Sequence, residues 1–276
     1  LNIDVFVNGV ANREKVWVDA KAKNSFTFSA AKAPDLINLN PDGVIISEIT
    51  ETKTPEQYYM QFTGSKDYVS KYLAVEDAAK NATKNPAALK TLVAALKDPF
   101  FRLKIQALEA LELTNADEAK MALGDVEKLA QNDSKTLVQA AAISALVKTK
   151  NAKYLPWYEK NMSALSNSVK ASSLAGIAAV DPAKAATLAE KMDLSTASDD
   201  LMTTLLPTIV DKKITSQMPA IGKLVAFYPF LKMRNPDLGT KADAGLTWIM
   251  SSDNTEATHN IKKILIQAKG KVEANP

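Results

Sequence analysis

A fixed apolar template recurs along much of this chain, and a chain patterned in that way has to stack its pieces against one another. The segment Asp98-Pro-Phe-Phe-Arg-Leu-Lys-Ile-Gln-Ala-Leu-Glu-Ala-Leu111 aligns with Asp133–Leu146 at an offset of 35 residues. In that alignment Leu103 meets Val138, Ala107 meets Ala142, Ala110 meets Ala145 and Leu111 meets Leu146. A further shift of 31 brings Val169, Ala171, Gly176 and Ile177 onto the same positions, and another 32 brings Leu201, Leu205 and Ile209. A helix pair of this size cannot bury its apolar face alone, so its neighbours must complete the core. Alanine is frequent at helical spacing (Ala87, Ala88, Ala94, Ala95, Ala140, Ala141, Ala142, Ala145), which favours helix and allows close approach.

Helix starts are marked. Thr54-Pro55, Asn85-Pro86, Asp98-Pro99 and Asp181-Pro182 each set a capping side chain before a proline suited to the first helical position. About a dozen helices joined by short loops are expected from residue 54 onward. Before it the period is two. Leu1, Ile3, Val5 and Val7 alternate, Asn8-Gly9 is a hairpin turn signal, and Pro41-Asp42-Gly43 is another turn. Further alternation at Val16–Val18, Phe26–Phe28, Ile37–Leu39 and Val44–Ile49 raises the expected number of short strands to four or five. The fold expected is therefore mainly α: a HEAT/armadillo-like helical solenoid over residues 54–276, preceded by a small antiparallel β-sandwich fragment over residues 1–53. The period is shorter than the ~40–47 residues of HEAT units. Asp98-Pro-x-x-Arg102 with the following Ala-Leu is nonetheless HEAT-like, and the tetratricopeptide signature is absent. Leu1 opens on a strand already under way, without an initiator Met, so the chain is expected to be part of something longer.

Composition removes several chemistries. The chain has no cysteine and one histidine, His259, which excludes disulfides, a Cys nucleophile and the paired histidines of an H-E-x-x-H zinc site. His259 itself reads as a surface histidine near a helix start. No Gly-rich phosphate loop and no G-x-S-x-G elbow occurs. The carboxylate pairs Glu76-Asp77 and Asp199-Asp200 are neighbours on helices, pointing about 100° apart, so they read as solvated faces or caps rather than dyads; Glu48 and Glu51 are no more specific. Arg102 reads as a structural brace, and Tyr154, Trp157 and Tyr158 as a packing cluster rather than a partner patch. Three N-x-[ST] triplets, at Asn81, Asn132 and Asn161, carry little weight. No catalytic, cofactor-binding or metal-binding residue is assigned. With 34 Lys and Arg against 31 Asp and Glu, the formal charge of +3 argues for neither nucleic acid nor a membrane as partner.

One order of segments resembles a known family. Lys23-Asn-Ser-Phe-Thr-Phe-Ser29, Ala33-Pro-Asp-Leu-Ile-Asn-Leu-Asn-Pro-Asp-Gly-Val-Ile-Ile46, Thr54-Pro-Glu-Gln-Tyr58 and Asp98-Pro-x-x-Arg102 follow one another as in the C-terminal half of aminopeptidase N-like zinc metallopeptidases. Asn40 stands where that family usually has Asp, and the family's catalytic helix is missing. The resemblance implies a non-catalytic C-terminal part of a zinc aminopeptidase, a hydrolase whose zinc sits in an upstream catalytic domain. This part would wall the substrate cavity, with that domain as its partner and peptides as the parent's substrates. The alternative is a HEAT-like protein- or peptide-binding scaffold from a catalytically inactive relative. The compartment, periplasmic, extracellular or cytoplasmic, stays open.

Overall fold

Asn8 and Gly9 both carry positive φ (54° and 75°), the geometry of a two-residue hairpin turn. They join β1 (Asn2–Val7) to β2 (Val10–Lys15), and β3 (Leu36–Leu39) pairs antiparallel with the other side of β1, giving the order β2-β1-β3. This is a computed structural model describing residues 1–46, 48–194 and 197–274. The central strand is buried on both faces: Ile3 and Val5 point one way, Asp4 and Phe6 the other. Asp4 is tolerated there because Arg13 of β2 grips it with two bonds of 2.7 and 2.9 Å while also pairing with Asp67. The outer strand β2 is exposed and charged, a composition that blunts an open sheet edge.

Three strands form where four or five were expected. Residues 16–35 contain no strand, and Trp17 is 85% exposed. Val16 still exchanges backbone hydrogen bonds with Leu1, and beyond it the alternation finds no neighbouring strand to bury it. Val44 to Ile46 are likewise outside any strand, and Ser47 lies outside the described residues.

The chain is mainly α, with fourteen α-helices among the described residues and the small antiparallel sheet before them. It divides into two compact units, Leu1–Lys148 and Thr149–Pro276. The first holds the sheet and α1 (Pro55–Gly64), α2 (Tyr68–Asn81), α3 (Pro86–Ala95), α4 (Phe101–Ala110), α5 (Ala116–Asn132) and α6 (Thr136–Val147). The passage from sheet to helix near residue 53 thus falls inside this unit. Helix α1 starts with a full capping box: Gln57 N–H donates to Thr54 Oγ1, and Thr54 N–H donates to Gln57 Oε1. Asn85 caps α3 as expected, and Asn115 caps α5. Odd-numbered helices neighbour one another in one layer and even-numbered helices in the other. At the end of α1, Gly64 leaves room for the Phe6 ring, since a Cβ there would lie 2.6 Å from it.

A repeated ion pair ties successive helix pairs. Lys71 of α2 reaches Asp98, ahead of α4, at 2.6 Å; Lys104 of α4 reaches Asp133, ahead of α6, at 2.7 Å. In both cases the other carboxylate oxygen accepts a backbone N–H two residues on, from Phe100 (2.9 Å) and Lys135 (2.8 Å). Each aspartate therefore holds the turn leading into one helix and anchors the previous one; Asp98, expected as a cap, lies two residues before the N-cap Phe100. In α6 the lysine's place is taken by Gln139, whose amide donates to the Asp133 carbonyl. Arg102, expected as the brace, is exposed and stacks on Phe101 instead.

The second unit contains α7 (Leu155–Asn161), α8 (Asn167–Val180), α9 (Pro182–Lys191), α10 (Asp199–Asp211), α11 (Met218–Ala226), α12 (Tyr228–Arg234), α13 (Pro236–Met250) and α14 (Thr255–Ala274). Its core is formed by Leu174, Leu205, Leu206, Ile209, Ile221, Val225, Ile249 and Ile261. Two glycines mark close approaches. A Cβ at Gly245 would meet Val225 at 2.8 Å, and one at Gly176 would enter the Tyr158 ring. Tyr154 and Tyr158 are buried, so their cluster is internal packing, as expected. Among the described residues no helix is long and apolar enough to cross a membrane.

Replacing Asp98 or Asp133 by Ala removes a helix-start acceptor and strands a largely buried ammonium. Each is expected to lower the unfolding free energy by about 2 kcal/mol in urea denaturation. Asn at either position keeps the acceptor and should cost less than Ala.

Candidate binding cleft

The cleft is made by a short loop that cannot follow its apolar side chains into the core. After β3, Asn40 takes positive φ (49°), and its side chain bonds Ile45 twice: Nδ2 donates to the Ile45 carbonyl (2.7 Å), and Ile45 N–H donates to Oδ1 (3.2 Å). Gly43, also at positive φ (66°), lets the loop lie on α2, where a Cβ would sit 3.0 Å from Val69. With the backbone so fixed, the next side chains face out. Ile45 and Ile49 are 40% and 39% exposed, and Ile46 is fully exposed. They border a cavity of about 460 Å³ whose opposite wall is Val69 and Leu73 of α2. Exposed aliphatic side chains grouped around a concavity are a feature of binding surfaces.

Beneath the cleft a polar network joins sheet to helices. The Lys53 side chain is 97% buried; its ammonium donates to Asn38 Oδ1 (2.9 Å), Gln61 Oε1 (2.7 Å) and Glu51. Gln61 in turn donates to the Ser70 carbonyl (2.7 Å), Asn38 donates to Ser70 Oγ (2.8 Å), and Ser70 Oγ donates to the Pro41 carbonyl (2.9 Å). Burial holds the Lys53 pKa below its ordinary value, with Glu51 opposing.

The polar wall of the cleft is acidic. Glu51, Glu76 and Asp77 line it together with Tyr58 and Lys80. The Tyr58 pKa is raised, first by burial and then by the charges of Asp77, Glu51 and Glu76. Asp77 Oδ1 accepts from Asn81 Nδ2 (3.1 Å), while its Oδ2 is shielded from solvent and has no hydrogen-bond partner.

The residues singled out from sequence separate clearly. Glu76-Asp77, read as a solvated face, lies at the cleft with Glu51, whereas Glu48 is merely exposed. Asp199 and Asp200 sit in the first turn of α10, where negative charge suits the helix dipole. His259 is exposed on α14. Among the described residues no group of three or more acidic or histidine side chains could hold a metal ion. The isoleucines and Tyr58 were not singled out. Val44–Ile49 looked like a strand, and the turn before it was the available signal that the segment is displayed rather than paired.

No family model matches this chain, and no curated protein matches it in sequence. It is similar to a solved structure described as the complex of CpcE and CpcF of phycocyanin lyase from Nostoc sp. PCC7120. The likeness covers 81% of this chain and 98% of that chain at 16% identity, with a TM-score of 0.48. The structure found is not a peptidase, and the assignment to aminopeptidase N-like zinc metallopeptidases is corrected accordingly. The reading as a cavity wall, the zinc-dependent hydrolase parent and the upstream catalytic domain as partner fall with it. The physical reason for the resemblance lies in the residues that carried it. Asn40, Pro41-Asp42-Gly43, Thr54-Pro55 and Asp98 make a loop lock, a turn, a cap and an ion pair. These are tasks that sheet-to-helix passages and helix starts set in many folds.

Asp77→Asn should lower the Tyr58 pKa, because removing a nearby negative charge makes the phenolate less unfavourable. Absorbance titration of the tyrosines, with Tyr58→Phe to identify the transition, checks this; an unmoved transition contradicts the assigned field.

Proposed function

We propose that this chain is a HEAT-like protein-binding scaffold, and that the cleft at its sheet–helix joint receives a segment of a partner protein. One observation carries the reading: Asn40 locks the loop at Ile45, and Ile45, Ile46 and Ile49 stand exposed beside a cavity of about 460 Å³. Exposing three isoleucines side by side is unfavourable in the free chain, and covering one such side chain contributes about 1.5–3 kcal/mol. The polar groups at the cleft fit this role. They lie beside the aliphatic surface, where hydrogen bonds and charges set which segment is accepted.

A displayed library of short peptides tests the reading. Selection on the intact chain is expected to enrich clones whose affinity falls at least about tenfold in Ile46→Ser or Leu73→Ser, the effect of losing one buried aliphatic contact. Enriched clones that bind the wild type and both variants equally place the binding elsewhere and contradict the reading.

A further inference from the structure

We infer that the cleft selects a segment carrying a cationic side chain, arginine or lysine, flanked by aliphatic residues; this rests on the scaffold reading of the same cleft. The charges lining it do not balance. Glu51 is engaged by Lys53, and Glu76 by Lys80 at 3.2 Å. Asp77 is paired with no cation among the described residues, and of its two oxygens only Oδ1 accepts a bond, from a neutral amide. Three carboxylates therefore face two ammonium groups, and the surplus negative charge sits where α2 borders the aliphatic wall. An incoming guanidinium or ammonium supplies the missing positive charge, and its methylene stem can lie along Leu73 and Ile45. The Asp77 charge acts on such a cation across the partly desolvated cleft, without contact at the shielded Oδ2. An acidic segment meets repulsion there.

The whole-chain charge works against this preference rather than for it. At +3 the chain does not attract cations at long range, so a preference for a basic segment has to arise locally.

The test uses fluorescein-labelled peptides of alternating leucine with arginine, glutamine or glutamate, titrated into the intact chain at low salt and followed by anisotropy. The arginine peptide is expected to bind about tenfold more tightly than the glutamine peptide, and the glutamate peptide more weakly than either. Asp77→Asn, nearly isosteric and checked for folding by circular dichroism, should remove most of the arginine preference, read as the ratio of arginine- to glutamine-peptide affinity. Ile46→Ser should weaken the arginine and glutamine peptides alike. Equal affinity for arginine and glutamine peptides, or an arginine preference that survives Asp77→Asn, overturns the inference while leaving the scaffold reading standing. Binding of none of the three overturns both.

Discussion

The Lys53 ammonium has been taken out of water and placed between a strand, a loop and two helices, and the first unit is organised around that placement. Three acceptors surround it, from Asn38, Glu51 and Gln61, and two of these side chains pass the connection on to Ser70. Desolvating an ammonium costs several kcal/mol, so the arrangement holds only while all its partners are in place. That condition is what makes it specific. It fixes how β3, α1 and α2 meet, and with them the floor of the cleft. Arg13 does similar work at the sheet's edge by holding Asp4 and Asp67 together.

Beyond the joint, two kinds of interaction divide the labour. Apolar packing supplies the cohesion of the helix layers, through small and medium residues such as Ala107, Leu108, Ile143 and Leu146. The Lys71–Asp98 and Lys104–Asp133 pairs supply register, because each aspartate must hold the turn leading into its own helix and meet a lysine of the preceding pair at once. The loop after β3 stands outside both schemes. Ile45 is held by the Asn40 hydrogen bonds, and it stands exposed with Ile46 and Ile49 instead of being drawn in by packing, the feature on which the proposed binding role rests.

What the sequence made legible follows from the range of the interactions. Helix periodicity and caps are local: Thr54, Asn85 and Asp181 cap helices where a short-range reading puts them, whereas Asp98 misses because its helix begins two residues later than Pro99 suggests. The hairpin at Asn8-Gly9 was legible for the same reason. The alternation at Val16–Val18 and Phe26–Phe28 misled, because a strand needs a partner at a distance and none is supplied. The cleft was illegible for a related reason. It depends on Asn40 turning back on Ile45 and on α2 lying beneath Gly43, neither of which is visible in a window of hydrophobicity. Glu76-Asp77 looked like a solvated pair because the loop opposite could not be placed. The family resemblance rested on turn and cap residues, whose chemistry recurs wherever a sheet passes into helices.

The central claim is that the buried Lys53 network welds the sheet to the first helices and so creates the cleft. Hydrogen exchange on the intact chain, wild type against Lys53→Met, tests it most directly. The substitution leaves the acceptors of Asn38 and Gln61 without their donor, and buried unpaired acceptors are costly. Amides of β3, the 40–45 loop and the facing turns of α1 and α2 are predicted to lose protection together, while α5 and α6 keep theirs. Unchanged protection across the joint in Lys53→Met would contradict the claim.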